Sequence, residues 1–373
     1  MKSRVIIALM AAVLVLPVRA ETHDELKARC HGEATDDQRI AACDGLIAAN
    51  RDGPEELAIA YYKRGNGHGN KGETERAIAD YTRALRLAPD HGAALNNRAL
   101  AYERLQQHDR ALADYDLAIH FWPGFALALV NRGNLHAERG RYELAFKDYD
   151  RAIALEPGYA QAYYARGDLH HTLRQFERAI QDLNQAIRLE PELARAWDRR
   201  GVAYKNKGDY DRAIADYDQA IRLRPDEADF HYNRGNARYF KNQFDLAIAD
   251  FNKSIQLEPN AMALIQRGRC HYAVTRFREA IADYDEALRL QPGHDLAYFN
   301  RATAFVRLRE YDAAIADYDA ALRISPKSAI SLFGRGVAKR GRGDIAGGNA
   351  DIAAAKALEA NIAGQMAELK IKP

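Results

Sequence analysis

The stretch ARAWDRRGVAYKNKGDYDRAIADYDQAIRLRPDE, residues 194–227, contains the pattern that decides the fold. Trp197, Gly201 and Tyr204 share one face of a first helix, and a Lys-Gly-Asp turn follows. Apolar residues then recur with helical spacing until Pro225, where a second helix must stop because proline cannot continue it. The stretch therefore predicts a helix-turn-helix.

The same pattern recurs along most of the chain. Eight prolines mark it, at successive distances of 34 residues with one distance of 33. They are Pro89, Pro123, Pro157, Pro191, Pro225, Pro259, Pro292 and Pro326. This period predicts a solenoid of about nine units over residues 58–360, with the lost residue shortening the first helix of the seventh unit. Stacked units form an extended surface and not one deep pocket, which favours a binding function.

Two charged positions are the same in all nine units. The arginines of the first helices are Arg64, Arg98, Arg132, Arg166, Arg200, Arg234, Arg267, Arg301 and Arg335. The aspartates of the second helices are Asp80, Asp114, Asp148, Asp182, Asp216, Asp250, Asp283, Asp317 and Asp351. One of each per unit predicts a structural ladder of Arg–Asp pairs between packed helices, made of charge-assisted hydrogen bonds. The alternative is a basic stripe for an anionic ligand, against which the equal numbers of the two signs argue.

A 34-residue unit with an aromatic residue, Gly, Tyr, Gly, Ala, Ala and a final Pro resembles the tetratricopeptide repeat. The resemblance covers about residues 58–360. It implies an all-α protein, an α-solenoid in which helix-turn-helix repeats form a right-handed superhelix with first helices on the concave face. The family more often has an apolar residue at the arginine position, so the chain departs from the pattern there.

Asparagine recurs in the first helices although it is a mediocre helix former. An amide both donates and accepts, which suits an extended peptide backbone, and some tetratricopeptide superhelices are similar in having an asparagine ladder on the inner face. The candidate partner-binding residues are Asn97, Asn131, Asn134, Tyr164, Arg199, Tyr232, Asn233, Asn236 and Asn300. Tyr62, Tyr239, Phe299 and Phe333 are expected to add apolar contacts there. A solvated inner face with no selected ligand is the alternative.

The chain ends differ from the repeats. Residues 1–20 have the basic start, apolar stretch and small-residue site of a cleavable secretory signal, with an uncleaved anchor as the alternative. Residues 21–57 predict a helical cap in which Cys30 and Cys43 form a disulfide, or remain two buried thiols. Residues 361–373 predict a capping helix and tail. Cys270 occupies an alanine position and is expected to be a small core residue.

The charge balance and the lack of catalytic motifs argue against several classes of function. Lys and Arg number 54 and Asp and Glu 52, so nothing favours nucleic acid or an anionic membrane surface. No nucleophile motif, metal-ligand cluster or cofactor loop stands out, and no cofactor, metal or catalytic residue is expected. The chain is expected to be an exported scaffold, periplasmic or secreted, that binds a protein or peptide partner without inserting in the membrane. An accessory subunit of an envelope enzyme complex and a self-associating structural protein are the alternatives, and the oligomeric state stays open.

Overall fold

The computed structural model describes residues 21–368 and Ile371. These residues form twenty-one α-helices and no β-strand, which confirms the predicted all-α class of consecutive helix-turn-helix units. The expected secretory signal, residues 1–20, lies outside them, as does part of the expected C-terminal tail. The described residues divide into two compact bodies, with the boundary between Pro157 and Gly158.

The first body contains four helical hairpins. They are α1 (His23–His31) with α2 (Asp36–Ala49), α3 (Pro54–Asn70) with α4 (Thr74–Leu87), α5 (Gly92–Arg104) with α6 (His108–Phe121), and α7 (Ala126–Glu138) with α8 (Tyr142–Leu155). Thr22 and Thr35 begin α1 and α2 as reciprocal caps, in which each hydroxyl accepts from a backbone N–H of the first turn. Cys30 and Cys43 form a disulfide that joins α1 to α2, and neither is exposed to solvent.

The second body contains six hairpins and a short last helix. They are α9 (Ala160–Thr172) with α10 (Phe176–Leu189), α11 (Ala194–Asn206) with α12 (Tyr210–Leu223), α13 (Ala228–Phe240) with α14 (Phe244–Leu257), α15 (Ala261–Ala273) with α16 (Phe277–Leu290), α17 (Asp295–Arg307) with α18 (Tyr311–Ile324), and α19 (Ala329–Arg342) with α20 (Ile345–Leu358). The last helix, α21 (Ile362–Glu368), buries Ile362 and Met366 against the apolar side chains of the final hairpin.

The turn inside each repeat hairpin depends on one residue with a left-handed backbone. These residues are Gly72, Gln106, Gly140, Arg174, Gly208, Asn242, Thr275, Arg309 and Gly343, with φ between 57° and 103°. In the unit quoted above, the N–H of Asp209 then donates to the carbonyl of Tyr204 at 2.9 Å, which closes the first helix with a Schellman motif. Five of the nine positions carry a side chain where glycine fits best.

Small residues let the two helices of a hairpin cross closely. A Cβ atom added at Gly201 would lie 2.7 Å from the ring of Tyr217, and one added at Gly133 would lie 2.6 Å from the ring of Tyr149. Both tyrosine rings are fully buried. A larger residue at either glycine would therefore have to push the second helix away, at a cost of about 1–3 kcal/mol.

One expectation about local helix structure is wrong. The first helix of the seventh unit, α15, has 13 residues like its neighbours, because the missing residue is removed from the turn instead. Asn260 makes this possible: it is extended and its side chain accepts from the N–H of Ala263 at 2.8 Å, which begins the helix one residue sooner after Pro259. The glycines near the end of α3 lie within a continuous helix, and a Cβ added at Gly67 would lie 2.9 Å from Ile40 of the preceding hairpin.

Cys270 lies in the core, as its alanine position predicted. Its side chain is fully buried, and burial raises the pKa of its thiol to about 12. A thiol that stays protonated at neutral pH is a poor nucleophile, so Cys270 contributes packing and not reactivity.

Candidate functional site

A buried ion pair joins the two helices of every repeat hairpin. Arg132 donates from Nε and Nη2 to the two carboxylate oxygens of Asp148, at 2.9 and 2.6 Å, and Asp148 is only 4% exposed. The pairs in which Nε and Nη2 donate to the two carboxylate oxygens in this way are Arg64–Asp80, Arg98–Asp114, Arg132–Asp148, Arg166–Asp182, Arg200–Asp216, Arg234–Asp250, Arg267–Asp283, Arg301–Asp317 and Arg335–Asp351. The structure thus brings together every arginine and aspartate that the sequence paired.

The arginines also reach into the preceding hairpin. Arg301 Nη1 donates to Oδ1 of Asp285 at 2.6 Å, in the hairpin before its own. The corresponding acceptors are Asp44 for Arg64, Thr82 for Arg98, Asp116 for Arg132, Asn184 for Arg200, Asp218 for Arg234, Asn252 for Arg267, Asp285 for Arg301 and Asp319 for Arg335. Each of these arginines therefore bonds within one hairpin and to its neighbour. Sequence reasoning missed this second partner, although an Asp, Asn or Thr follows each second-helix aspartate except Asp351 by two residues.

Electrostatics favour the structural interpretation of the arginine ladder. The hydrogen bonds that Arg132 donates to Asp148 raise the pKa of Arg132; the bond to Asp116 acts in the same direction, and burial acts against both. Burial raises the pKa of Asp216, although the bonds from Arg200 act in the other direction. The guanidinium groups are charged and already bonded to carboxylates, so they are poorly placed to act as a free basic stripe.

A chain of amide hydrogen bonds crosses three first helices of the first body. Asn131 Nδ2 donates to Asn96 Oδ1 at 2.9 Å, Asn96 Nδ2 donates to Asn97 Oδ1 at 3.1 Å, and Asn97 Nδ2 donates to Asn66 Oδ1 at 2.9 Å. We call the surface formed by Lys63, Asn66, Asn97 and Asn131 the asparagine face. Asn96 is 1% exposed and lies beneath this surface, where it links Asn131 to Asn97. The bonds fix the amides in α3, α5 and α7 before any ligand arrives, which lowers the entropic cost of binding.

The asparagines three residues after the arginines behave differently from one another. Asn134 is exposed to solvent, and its Oδ1 accepts a hydrogen bond from the hydroxyl of the buried Tyr149 at 2.8 Å. Asn236 is only 7% exposed, and its Nδ2 donates to the backbone carbonyl of Tyr232 at 3.0 Å. The reason is that Phe251 stands where other units have a tyrosine and offers no hydroxyl. The expectation that Asn236 meets a partner directly does not fit this burial.

The second body replaces most of the amides with charged groups. Arg199 Nε lies 2.7 Å from Asp168 Oδ1, and Asn233 Nδ2 donates to Asp198 Oδ1 at 2.9 Å. Burial raises the pKa of Tyr164, which lies beside Arg199. Burial also raises the pKa of Asp198 to about 6. The first-helix surface of α9, α11 and α13 is therefore a mixture of both signs and not a continuation of the asparagine face.

A cavity of about 430 Å³ opens on the asparagine face. Lys63, Asn66, Asn97 and Arg104 contribute polar groups to its lining, and Tyr81 contributes an aromatic wall. Arg104 Nη1 donates to the carbonyl of Gly69 at 3.0 Å, which holds the guanidinium at the rim. Its volume falls within the range of about 300–1,000 Å³ that ligand pockets occupy.

A second cavity, of about 340 Å³, lies in the second body. Asn300 lines it together with Arg269, Arg307 and the rings of Tyr239 and Tyr272.

Two aromatic residues that were expected to add surface contacts do not: Phe299 is 5% exposed and Phe333 is fully buried. Both pack in the core around Tyr318, because their position in the first helix points towards the second helix of a hairpin. Tyr232 likewise packs beside Phe251, with ring centroids 5.9 Å apart.

No group of three or more His, Cys, Asp or Glu side chains within residues 21–368 is arranged to hold a metal ion. Nε2 of His171 lies 3.0 Å from Nδ2 of Asn206, and because the amide nitrogen can only donate, Nε2 accepts this hydrogen bond.

Models of known families match most of the repeat region. Tetratricopeptide repeat models match residues 62–126, 160–193, 228–260 and 265–329, and a TPR repeat model matches residues 133–173 and 203–240. Taken together, these ranges cover more than half of the chain. The chain belongs to the tetratricopeptide repeat family. Its repeats combine the hairpin of that family with the arginine ladder described above.

Individual solved structures share the fold of this chain at low sequence identity. A tetratricopeptide repeat protein from Parabacteroides merdae is 22% identical, with a TM-score of 0.50 over 65% of this chain and 97% of that one. The APC/C hetero-tetramer Cut9–Hcn1 is 16% identical, with a TM-score of 0.52 over 90% of this chain and 82% of that one. Sperm-associated antigen 1A from Danio rerio is 40% identical over 67 residues, which are 18% of this chain and 16% of that protein.

None of the helices within residues 21–368 combines the length and the apolar character that crossing a bilayer requires.

Proposed function

We propose that this tetratricopeptide repeat protein is a non-enzymatic scaffold that binds a partner protein or an extended peptide. The asparagine face carries the proposal. Its amides are fixed by their own hydrogen bonds. Two of them, Asn66 and Asn97, line a cavity that also holds three cationic side chains, those of Arg39, Lys63 and Arg104. An extended backbone needs alternating donors and acceptors, and a row of prearranged amides offers both.

The absence of an inserted domain supports a scaffold over an enzyme. After residue 58 the repeat period changes only once, by one residue, so the chain leaves no room for a separate catalytic domain within the array. An accessory role in an enzyme complex is compatible with the same surface, since the scaffold would then hold the enzyme as its partner.

We further propose that the protein is exported and works in the periplasm or outside the cell. The basic and apolar start of residues 1–20 supports export, and a disulfide between Cys30 and Cys43 is typical of oxidising compartments. Cell fractionation and N-terminal sequencing of the native protein test this. A mature protein that begins near Glu21 outside the cytoplasm supports export, and an intact N-terminus in the cytoplasm contradicts it.

Binding is tested with the protein spanning residues 21–373. A random peptide library displayed on phage is selected on the immobilised protein, and the dissociation constant of each selected peptide is then measured in solution. The double variant Asn97→Ala and Asn131→Ala removes two amides of the asparagine face. Gln181→Ala, on the exposed side of a second helix, is the matched control.

We expect the double variant to weaken binding by about 5- to 150-fold, because two hydrogen-bonding groups at about 0.5–1.5 kcal/mol each are lost. The control should leave binding unchanged. Unchanged affinity in the double variant, with the same circular dichroism spectrum as the wild type, would contradict the proposed surface.

A further inference from the structure

The cavity of the second body has more aromatic rings in its lining than the cavity on the asparagine face. Its walls are aromatic, formed by Tyr239, Phe244 and Tyr272, with the buried Tyr284 and Phe299 beneath them. The residues that line it include two arginines, Arg269 and Arg307, and no Asp or Glu. Three successive first helices, α13, α15 and α17, supply both arginines and most of the rings, and the second helices α14 and α16 supply Phe244 and Tyr284.

Both arginines are held by uncharged partners. Arg269 donates to Gln266 Oε1 at 2.8 Å and to the hydroxyl of Tyr239 at 3.1 Å, with its guanidinium 4.7 Å from the centre of the Tyr239 ring. The guanidinium of Arg307 lies 5.0 Å from the centre of the Phe277 ring. Within residues 21–368, neither forms a salt bridge with a carboxylate, in contrast to the nine ladder arginines.

Two positive charges that are oriented but not neutralised favour an anionic ligand. A guanidinium binds a carboxylate with two parallel hydrogen bonds, and the pair is strongest where aromatic walls exclude water. The aromatic walls in turn favour a planar apolar group, since rings gain about 0.5–1.5 kcal/mol from offset or edge-to-face contacts. Asn300 at the same cavity offers an amide to a peptide backbone.

We propose that this cavity binds a peptide segment in which an aromatic residue is adjacent to acidic residues, with the ring between Tyr239 and Tyr272 and the carboxylates on Arg269 and Arg307. The inference rests on the proposed function, since it names a class of segment that such a partner presents. Charge complementarity favours this ligand. In the described hairpins α13 to α18, all the remaining first-helix arginines donate to a carboxylate of the protein, so only Arg269 and Arg307 have their charge available for an acidic ligand.

Three labelled pentapeptides, acetylated and amidated at their ends, test the proposal by fluorescence anisotropy. The first is Gly-Glu-Phe-Glu-Gly, the second replaces both Glu by Gln, and the third replaces Phe by Ala. A fourth, with the second sequence but a free C-terminal carboxylate, distinguishes a chain end from acidic side chains. We expect the first to bind at least about tenfold more tightly than each of the others.

Variants of the protein locate the site. Arg269→Gln and Arg307→Gln are each expected to weaken binding of the first peptide about tenfold or more and to leave the Gln peptide unaffected. Arg323→Gln, an exposed arginine of a second helix outside the cavity, is the control and is expected to bind as the wild type. Circular dichroism of each variant confirms that it is folded.

Equal binding of the Glu and Gln peptides, or of the wild type and Arg269→Gln, overturns the inference. If the phage selection above yields binding peptides that depend on Asn97 and Asn131 but not on Arg269 and Arg307, the proposed function stands and this inference falls. If the phage selection yields no binding peptide and none of these pentapeptides binds, the proposed function and this inference are both contradicted.

Discussion

Arg132 and Asp116 belong to different hairpins, yet Nη1 of the arginine donates to Oδ1 of the aspartate at 2.6 Å. Through Nε and Nη2 the same side chain holds Asp148 in its own hairpin. One guanidinium therefore connects three helices, α6, α7 and α8. Because equivalent bonds recur from Arg64 to Arg335, the arginine ladder fixes both the hairpin and its stacking on the hairpin before it.

Replacing Arg132 by Gln is expected to destabilise the protein by about 3–5 kcal/mol, because it leaves the buried carboxylate of Asp148 without its partner. Urea unfolding followed by circular dichroism measures the change. Arg86→Gln serves as control, since Arg86 is an exposed arginine of a second helix outside the ladder, and should change stability by less than about 0.5 kcal/mol. A loss below about 1 kcal/mol for Arg132→Gln would show that the ladder does not carry the stacking.

The two carboxylates bonded to Arg132 should contribute unequally. The side chain of Asp116 is 63% exposed and that of Asp148 is 5% exposed. Asp116→Asn is expected to cost less than about 1 kcal/mol, as exposed ion pairs do, and Asp148→Asn to cost several times more. Unfolding curves of the two variants under the same conditions make the comparison, and equal losses would contradict the burial argument.

Much of this architecture follows from the sequence, because each unit repeats the same residues at the same spacing. The arginine ladder was predictable because the positions of Arg132 and Asp148 are occupied by Arg and Asp in all nine units. The second acceptor was missed because the residue type at its position varies. Thr82 and Asn184 accept the hydrogen bond that Asp116 accepts in its own unit. A hydrogen bond needs only an oxygen at the right place, which residue identity alone does not reveal.

The individual binding residues were harder to predict than the fold. Asn134 and Asn236 occupy equivalent positions, but Asn134 accepts from Tyr149 while Asn236 turns to its own helix beneath Phe251. A single hydroxyl on another helix decides between them. The cavity of Arg269 and Arg307 likewise required the structure, since it joins residues from several repeats.

Asp198 is expected to make stability depend on pH. Burial raises its pKa to about 6, above the ordinary value of 3.8. Since the folded state holds the proton more tightly, the contribution of this group to stability is full below about pH 4 and is lost as the pH rises to about 6. Asp198→Asn should therefore be more stable than the wild type at pH 7.5, by up to about 3 kcal/mol.

The test of Asp198 compares unfolding free energies of the wild type and Asp198→Asn between pH 4 and pH 7.5. The difference between the two proteins should grow with pH. Asp226→Asn, which removes an exposed carboxylate from a turn, is the matched control and should show no such growth. A constant difference across this range would mean that Asp198 titrates as an ordinary surface acid.

The left-handed turn positions offer a way to stabilise the array. Arg174 has φ of 59°, where a side chain strains the backbone and glycine does not. Arg174→Gly is expected to raise the free energy of unfolding by about 1 kcal/mol. The reverse change, Gly208→Ala at φ of 82°, should lower it by a similar amount, although the new methyl group would meet no atom within 4 Å. Thermal unfolding of both variants checks the signs, and a gain in stability for Gly208→Ala would refute the explanation.

Hydrogen–deuterium exchange of the protein with and without a peptide from the phage selection tests the proposed binding surface most directly. The account predicts that the peptide slows exchange in the first helices that carry the asparagine face, α3, α5 and α7, and leaves the second helices α4, α6 and α8 unchanged. Protection confined to the second helices would contradict it.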